Sequence, residues 1–368
     1  MNAPTAAETT VSADLLREQL TTILEAWGMS AETIPPTVDI MVETDLRGID
    51  SHGIAMLPLY AEMRRRGKIA MRPVIEVVRE SPVTALIDGG GGLGHAPSAD
   101  AMRLAIQKAK AAGLAAVTVR NSNHFGAAGA YAMMATAEGL IGIAMTNAGG
   151  RSIVPTRARE PVFGTNPIAF AAPTRDNLPF VLDMATSTVA VGKVKLAAYA
   201  GKPLPSGWVV DADGVEVTVA ADAFDGTGRL ARGFGMTPLG GLADLSSHKG
   251  YGLAAMVEVL CGMLPGAPFI AAMVEPAKHQ TGHFFLALDP NAFRDEGEFQ
   301  DELDAMIDHL RALEPTDPEL PVLVHGDPEN IAREERLADG IPIPGMLADA
   351  LADICRQANV EYLLDQGR

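Results

Sequence analysis

Between residues 74 and 145, short apolar runs of strand length alternate with longer segments of helical period, which restricts the chain to an α/β architecture. Residues 74–78 and 84–87 read as strands. Residues 97–112 read as a helix with Pro97 in its first turn, where a missing N–H does no harm. A buried strand at 115–119, a helix at 127–138 and a strand at 141–145 follow, then strands at 168–172 and 180–182. Helical period returns at 251–264, strand character at 284–288, and helices near 298–313, 331–337 and 346–359. Ahead of this region, residues 13–67 predict three helices. The first is capped by Ser12, the second begins near Pro36 and ends at Gly48, and the third sets Leu57, Tyr60, Ala61 and Arg64 on one face. The stretch 199–245 is rich in Gly and Asp and reads as an extended loop or lid.

Composition removes several function classes. Hydrophobic residues are 48% and charged residues 20%, a globular balance, and with 5% aromatics the core must rest on aliphatic side chains and the 17 Met. A formal charge of −17 repels phosphate backbones, so no nucleic-acid partner is expected, and an anionic ligand needs a local basic pocket. No apolar run approaches the length of a membrane span, and residues 1–12 carry neither the basic nor the apolar region of a signal peptide. The expectation is a cytoplasmic protein with no membrane partner. Cys261 and Cys355 sit in apolar helical surroundings and read as buried thiols, with a disulfide as the alternative.

Asp88-Gly-Gly-Gly-Gly-Leu-Gly-His95 contains a G-x-G-x-x-G spacing between a strand and a helix, the form of a dinucleotide fingerprint. Its context is incomplete, because the next strand ends in Arg120 rather than in an acidic residue. Four adjacent glycines also satisfy the pattern easily.

Other segments carry more specific chemistry. In Arg47-Gly-Ile-Asp50-Ser51-His52-Gly53, a histidine beside a hydroxyl and near a cation suits proton exchange with an anionic substrate; the alternative is an Asp/Ser helix cap with an incidental histidine. Asn121-Ser-Asn-His124-Phe125-Gly126-Ala127-Ala128-Gly129 follows a buried strand and opens a helix, where small residues leave N–H groups for an anion such as a pyrophosphate. Gly164-Thr165-Asn-Pro167 and Asp183-Met184-Ala185-Thr-Ser187 are polar loops at strand ends, and plain turn chemistry is the competing reading. His248-Lys249-Gly-Tyr-Gly252 opens a helix, with Lys249 either a phosphate or carboxylate partner or a solvated lysine. A metal pair at His279 and His283 is disfavoured, since Gln-Thr-Gly between them breaks helical presentation.

Taken in order, Asp50-Ser-His-Gly53, Asn123-His-Phe-Gly126, Gly164-Thr-Asn-Pro-Ile-Ala-Phe170, Asp183-Met-Ala-Thr-Ser187, His248-Lys-Gly-Tyr-Gly252 and Gly282-His-Phe-Phe285 resemble the malate/L-lactate dehydrogenase family, with its sulfolactate and ureidoglycolate dehydrogenases, over residues 15–347. In that family the glycine run is not the dinucleotide site. The resemblance implies a non-Rossmann three-layer α/β/α fold that binds NAD or NADP, and a homodimer. It implies a helical segment over 1–72, a nicotinamide-binding α/β domain over 73–290, and a helical segment over 291–368 packing back on the first. Ser51, His52 and His124 are the implied catalytic residues, and Arg47, Tyr60 and Thr165 the substrate contacts. His124, Phe125, Gly126, Ala127, Ala128, Asp183, Met184, Ala185 and Lys249 are the implied cofactor contacts.

The expected activity is hydride transfer between the nicotinamide and a small 2-hydroxy acid, without a metal. Lys193 stands where the imine-reducing branch carries an aspartate, which favours a hydroxy-acid dehydrogenase over an imine reductase; the alternative activity is an NADPH-dependent cyclic-imine or keto-acid reductase. One departure stands out. Many members read His-Gly-x-x-Arg, the arginine holding the substrate carboxylate, whereas this chain has Met56. Either Arg47 or one of Arg64 to Arg66 serves instead, or the substrate is atypical, or the chain is a catalytically silent ligand-binding relative.

Overall fold

The computed structural model describes residues 9–148, 150–224, 230–268 and 281–367. Its strands are β1 (Thr9–Val11), β2 (Glu76–Glu80), β3 (Thr84–Asp88), β4 (Leu114–Ser122), β5 (Ile141–Thr146), β6 (Ile168–Ala172), β7 (Phe180–Met184), β8 (Val209–Val210), β9 (Gly235–Met236), β10 (Thr281–Leu288) and β11 (Ile341–Ile343). Its helices are α1 (Ala13–Ala26), α2 (Ile34–Leu46), α3 (Leu57–Arg65), α4 (His95–Ala112), α5 (Ala128–Thr136), α6 (Val191–Tyr199), α7 (His248–Val257), α8 (Glu298–Arg311), α9 (Asp327–Asp339) and α10 (Gly345–Ala358).

The N-terminal helices form as their sequence dictates. The Ser12 hydroxyl accepts from the Leu15 N–H at 3.2 Å and caps α1, while prolines occupy the first turn of α2. Leu16, Leu20 and Ile23 of α1 bury against Met41 and Val42 of α2 and Tyr60 of α3. The far end of the chain joins the same core. β11 pairs antiparallel with β1, and α10 contributes Leu351, Ile354 and Cys355.

Seven strands form the central sheet in the order β2-β3-β4-β10-β5-β6-β7. Only β3 and β4 pair in parallel; every other neighbour is antiparallel. β10 lies between β4 and β5, with Phe284 opposite both Thr118 and Met145. Its near-continuous apolar run fits a strand covered on both faces. On one face, Met102 and Ala105 of α4 and Tyr131 and Ala132 of α5 pack on Val117, Val119 and Phe285. On the other, Val257 at the end of α7 and Cys261 in the π-helical turn that follows pack on Met145 and Phe284. The three-layer α/β/α expectation holds.

The structure differs from the sequence reading over 199–245. That stretch is no bare loop: with α6 it builds a small core of its own from Val194, Leu204, Val209 and Met236, tied by the β8–β9 pair. Cys261 and Cys355 are free buried thiols, so the disulfide alternative falls. His279 lies outside the described residues, and among those described no cluster of metal-ligating side chains occurs.

The pairing brings the candidate residues to one sheet edge. The C-terminal ends of β3, β4, β5 and β7 meet the N-terminal ends of β6 and β10 there, since Ser122 faces Thr281, Thr146 faces His283, and Ile168 faces both Met145 and Met184.

Candidate active site

The turn between α2 and α3 is fixed by a buried carboxylate. Asp45, only 2% exposed, accepts the Ile54 N–H at 2.8 Å, directly after the Ser51-His52-Gly53 segment. From α9, Arg336 donates to the Asp45 carbonyl at 2.6 Å and pairs with Asp50, which closes the turn from outside. His52 is thus held by its neighbours on both sides, and its Nδ1 lies 2.7 Å from the exposed Ser51 hydroxyl. Burial holds the His52 pKa below its usual 6.5.

Burial, reinforced by Asp50 and opposed by the Ile54 N–H and Arg336, pushes Asp45 from 3.8 up to about 7. The folded value lies above the unfolded one, so this group's contribution to stability is full below about pH 4 and is lost as pH rises through about 7. Keeping it ionised costs on the order of 4 kcal/mol. Asp45→Asn, which keeps an acceptor for Ile54 but cannot ionise, is expected to gain stability over the natural chain progressively from pH 4 to pH 8. Urea midpoints at several pH values measure this, and a difference independent of pH refutes it.

Three more histidines crowd the end of β4. The His124 Nδ1 lies 2.7 Å from the Tyr60 hydroxyl and accepts the Gly126 N–H at 3.2 Å, and its ring stacks on that of His52 with centroids 5.5 Å apart. His283 bridges Thr146 at 2.8 Å and Ser122 at 2.9 Å, and stacks on Phe125 at 4.7 Å. His95 is fully buried beneath Tyr60, with no hydrogen-bond partner for either ring nitrogen among the described residues. Burial brings His95 and His283 down to about 3. It also drives His124 well below 6.5, aided by the charges the other three rings would carry. At neutral pH the fully buried His95 and His283 and the half-buried His124 are neutral.

The glycine run has spent its N–H groups on the protein. Gly89 donates to the Arg120 carbonyl, Gly90 to the Asp88 carboxylate, Gly91 to the Asn121 carbonyl, Gly92 to the Gly89 carbonyl and Gly94 to the His124 carbonyl. Asn123 returns two bonds, to the Gly91 and Gly92 carbonyls. Glycine is needed at position 94 because a Cβ there would sit 2.5 Å from the Asn123 carbonyl oxygen and 2.7 Å from Phe125. The run is a buckle that holds the His124 loop.

Beside the histidines lies a cleft lined by Glu43, Thr44, Arg47 and Ile49 below, Ala127, Gly129, Ala130 and Met133 of the α5 start, Val181 and Asp183 of β7, and Glu329 of α9. A shallower groove of about 350 Å³ continues from it along α2 and α5. His52 and His124 are not among the cleft walls, but Ile49 and Ala127 stand three residues from each. The Gly129 N–H at the start of α5 is taken by the Asp183 carboxylate at 2.7 Å. Close packing around that carboxyl, more than the nearby Glu329, pushes it up to about 6; the residue is open to solvent on one side, so water screens much of this.

The remaining sequence candidates fall as follows. Arg47 lines the cleft but is bonded to Glu43 at 2.9 Å and Asn330 at 3.0 Å. Tyr60 is fully buried with its hydroxyl on His124. The Phe125 ring lies inside the core between His283 and Tyr131, so only its backbone faces the loop. Thr165 uses its carbonyl to hold the Thr186 N–H at 2.9 Å. Met184 ends β7 with Ala185 after it, and Lys249 is exposed in the first turn of α7. Met56 packs half-buried on the helical core. Arg64 covers the Trp27 ring, while Arg65 and Arg66 pair with Glu62. Asp45, Arg336, His95 and the role of His283 were missed by sequence reasoning. The only local signal was the position of His95 and His283 beside glycines at element starts.

A family model described as malate/L-lactate dehydrogenase matches residues 11–352. The malate dehydrogenase of Pyrococcus horikoshii is 39% identical over 357 residues, which cover 96% of each chain. The L-sulfolactate dehydrogenase of Methanocaldococcus jannaschii is 36% identical, covering 93% of this chain and 96% of that one. Among solved structures, malate dehydrogenase from Entamoeba histolytica superposes with a TM-score of 0.89 at 30% identity, covering 97% of this chain and 99% of that one. The motifs, the buckled glycine run and these likenesses agree: the chain belongs to the malate/L-lactate dehydrogenase family.

Proposed function

We propose that this oxidoreductase interconverts a small 2-hydroxy acid and its 2-oxo acid with NAD or NADP, and that His52 exchanges the hydroxyl proton. The observation that carries this reading is the Ser51–His52 pair, fixed by Asp45 and stacked on His124, on segments whose neighbours Ile49 and Ala127 line a small-walled cleft. The apolar side chains along this cleft, Ala127, Ala130, Met133, Ile49 and Val181, are the proposed contacts for a flat nicotinamide ring. The bound cofactor supplies or takes the hydride. The protein's own part is to place C2 of the acid near His52, whose ring takes the hydroxyl proton during oxidation and returns it during reduction. Ser51 is exposed and offers the proton a way to solvent.

Arg47, the one cation among the described cleft walls, is the proposed contact for the substrate carboxylate, but Glu43 and Asn330 already hold its guanidinium, so it replaces the arginine absent at Met56 only in part. The test is an absorbance screen at the nicotinamide band with malate, lactate, sulfolactate and ureidoglycolate, using NAD and NADP in turn. Silence with all four acids refutes the reading. In the same screen, Met56→Arg is expected to raise kcat/KM for malate or lactate about tenfold, the worth of one added charge-assisted hydrogen bond. No gain in a folded variant shows that the carboxylate is already clamped.

The proposed assembly is a homodimer. Val74, Val77 and Val78, 73%, 49% and 40% exposed in and just before β2 at the free edge of the sheet, support an apolar contact there. The proposed compartment is the cytoplasm, where buried thiols such as Cys261 and Cys355 stay reduced. No helix among the described residues is long and apolar enough to cross a membrane.

A further inference from the structure

The two stacked histidines are wired differently. The Nδ1 of His124 faces the Gly126 backbone N–H at 3.2 Å, and a backbone N–H can only donate. Nδ1 is therefore an acceptor, and the Tyr60 hydroxyl 2.7 Å away must donate to the same atom. A neutral imidazole whose Nδ1 accepts carries its single proton on Nε2. No hydrogen bond within the described residues uses that Nε2. The neutral state is enforced as well: burial and the neighbouring rings of His52, His95 and His283 all disfavour a charge on His124. His52 has no such backbone lock, since its Nδ1 meets a serine hydroxyl that can donate or accept.

We infer that His124 serves the reaction as a neutral hydrogen-bond donor through Nε2, its tautomer fixed by the Gly126 N–H and the Tyr60 hydroxyl, while proton exchange falls to His52. This rests on the dehydrogenase reading above. In the reducing direction the substrate's C2 oxygen accepts a hydrogen bond from His124 Nε2–H. As C2 receives the hydride, the carbonyl π pair moves onto that oxygen, which takes the proton from the His52 imidazolium. His52 ends neutral, His124 is unchanged, and the 2-oxo acid has become the 2-hydroxy acid with the cofactor oxidised. In the oxidising direction a neutral His124 with its Nε2 proton in place cannot accept the hydroxyl proton there, so the base must be His52. Tyr60 acts on the substrate only through His124 and is a positioning residue.

The experiment has two arms. In the cofactor-free natural protein, nitrogen-15 shifts of the His124 ring, assigned with His124→Gln, are expected to show Nε2 protonated and Nδ1 bare. Kinetics then compare His124→Gln with His124→Ala, because a glutamine amide places a donor about where Nε2 sits yet cannot carry a transferable proton. The loss of one donor to a developing oxyanion costs about 10²–10³-fold in kcat, so the alanine variant should fall by that much and the glutamine variant by at least about tenfold less. An Nδ1-protonated ring, or a glutamine variant no better than alanine in an otherwise active enzyme, overturns the donor role alone. A protein with the Nε2–H tautomer that turns over no 2-hydroxy or 2-oxo acid overturns the donor role and the dehydrogenase reading together.

Discussion

Replacing His52 by alanine is expected to lower turnover about 10²–10⁴-fold, the range contributed by a general acid–base group, while nicotinamide binding stays near its natural strength. The separation of effects follows from placement. His52 is not among the walls of the cleft lined by Ala127, Gly129, Val181 and Asp183, so removing its ring leaves those walls intact. The fold should also survive, because the turn is anchored by Asp45 on Ile54 and by Arg336 on Asp50, and none of these uses the imidazole. A cofactor-fluorescence titration and steady-state rates in both directions give the two numbers needed. The natural enzyme should show oxidation rising as pH climbs through a pKa below 6.5, since burial disfavours the charged ring and the base works only when neutral. That limb should vanish in the variant. Unchanged turnover in a folded His52→Ala protein would remove His52 from the mechanism.

What was legible in the sequence was whatever chemistry is local. His52 beside Ser51, and His124 on a loop between a strand and a small-residue helix, announce themselves within a few residues, and the structure stacks the two rings. The three layers were legible for the same reason, since period separates strand from helix one segment at a time. Strand order was not. Period says nothing about which strands pair, and β10, some 135 residues after β5 in sequence, inserts between it and β4. The β1–β11 pair escaped because three-residue strands are too short to show a period. In α6, Gly192 and the lack of a capping side chain mask a nine-residue helix. The supports of the site were invisible for want of partners in view: Asp45 looks like one more helix acid until Arg336, 291 residues away, is seen to close on it. The glycine run shows the reverse case. Its spacing imitates a phosphate cradle, its missing acidic partner already argued against one, and the hydrogen bonds show where the N–H groups go instead.

Gly53→Ala is the second large effect, and it acts on His52 without touching its chemistry. The Gly53 backbone sits at φ −90° and ψ −134°, and the space around it is closed. A Cβ at this position would lie 1.9 Å from one Asp45 carboxylate oxygen and 2.1 Å from the carboxyl carbon. Asp45 cannot step aside cheaply, because it is 2% exposed and holds the Ile54 N–H. Either the carboxylate loses that bond while still buried, or the backbone carrying His52 shifts outward. Overpacking together with a lost buried hydrogen bond places the stability cost at about 2–4 kcal/mol. A displacement of His52 approaching 1 Å costs about 100-fold in turnover on its own. A double-mutant cycle isolates the cause. Asp45→Ala also destabilises, by stranding the Ile54 N–H, but it removes the three atoms nearest the new Cβ. The double variant should therefore be more stable than the sum of the two single losses predicts, by at least about 1 kcal/mol, because residues in contact couple. Its turnover should also exceed that of Gly53→Ala alone. Strict additivity in both readouts would show that the Asp45 carboxylate is not what keeps position 53 a glycine.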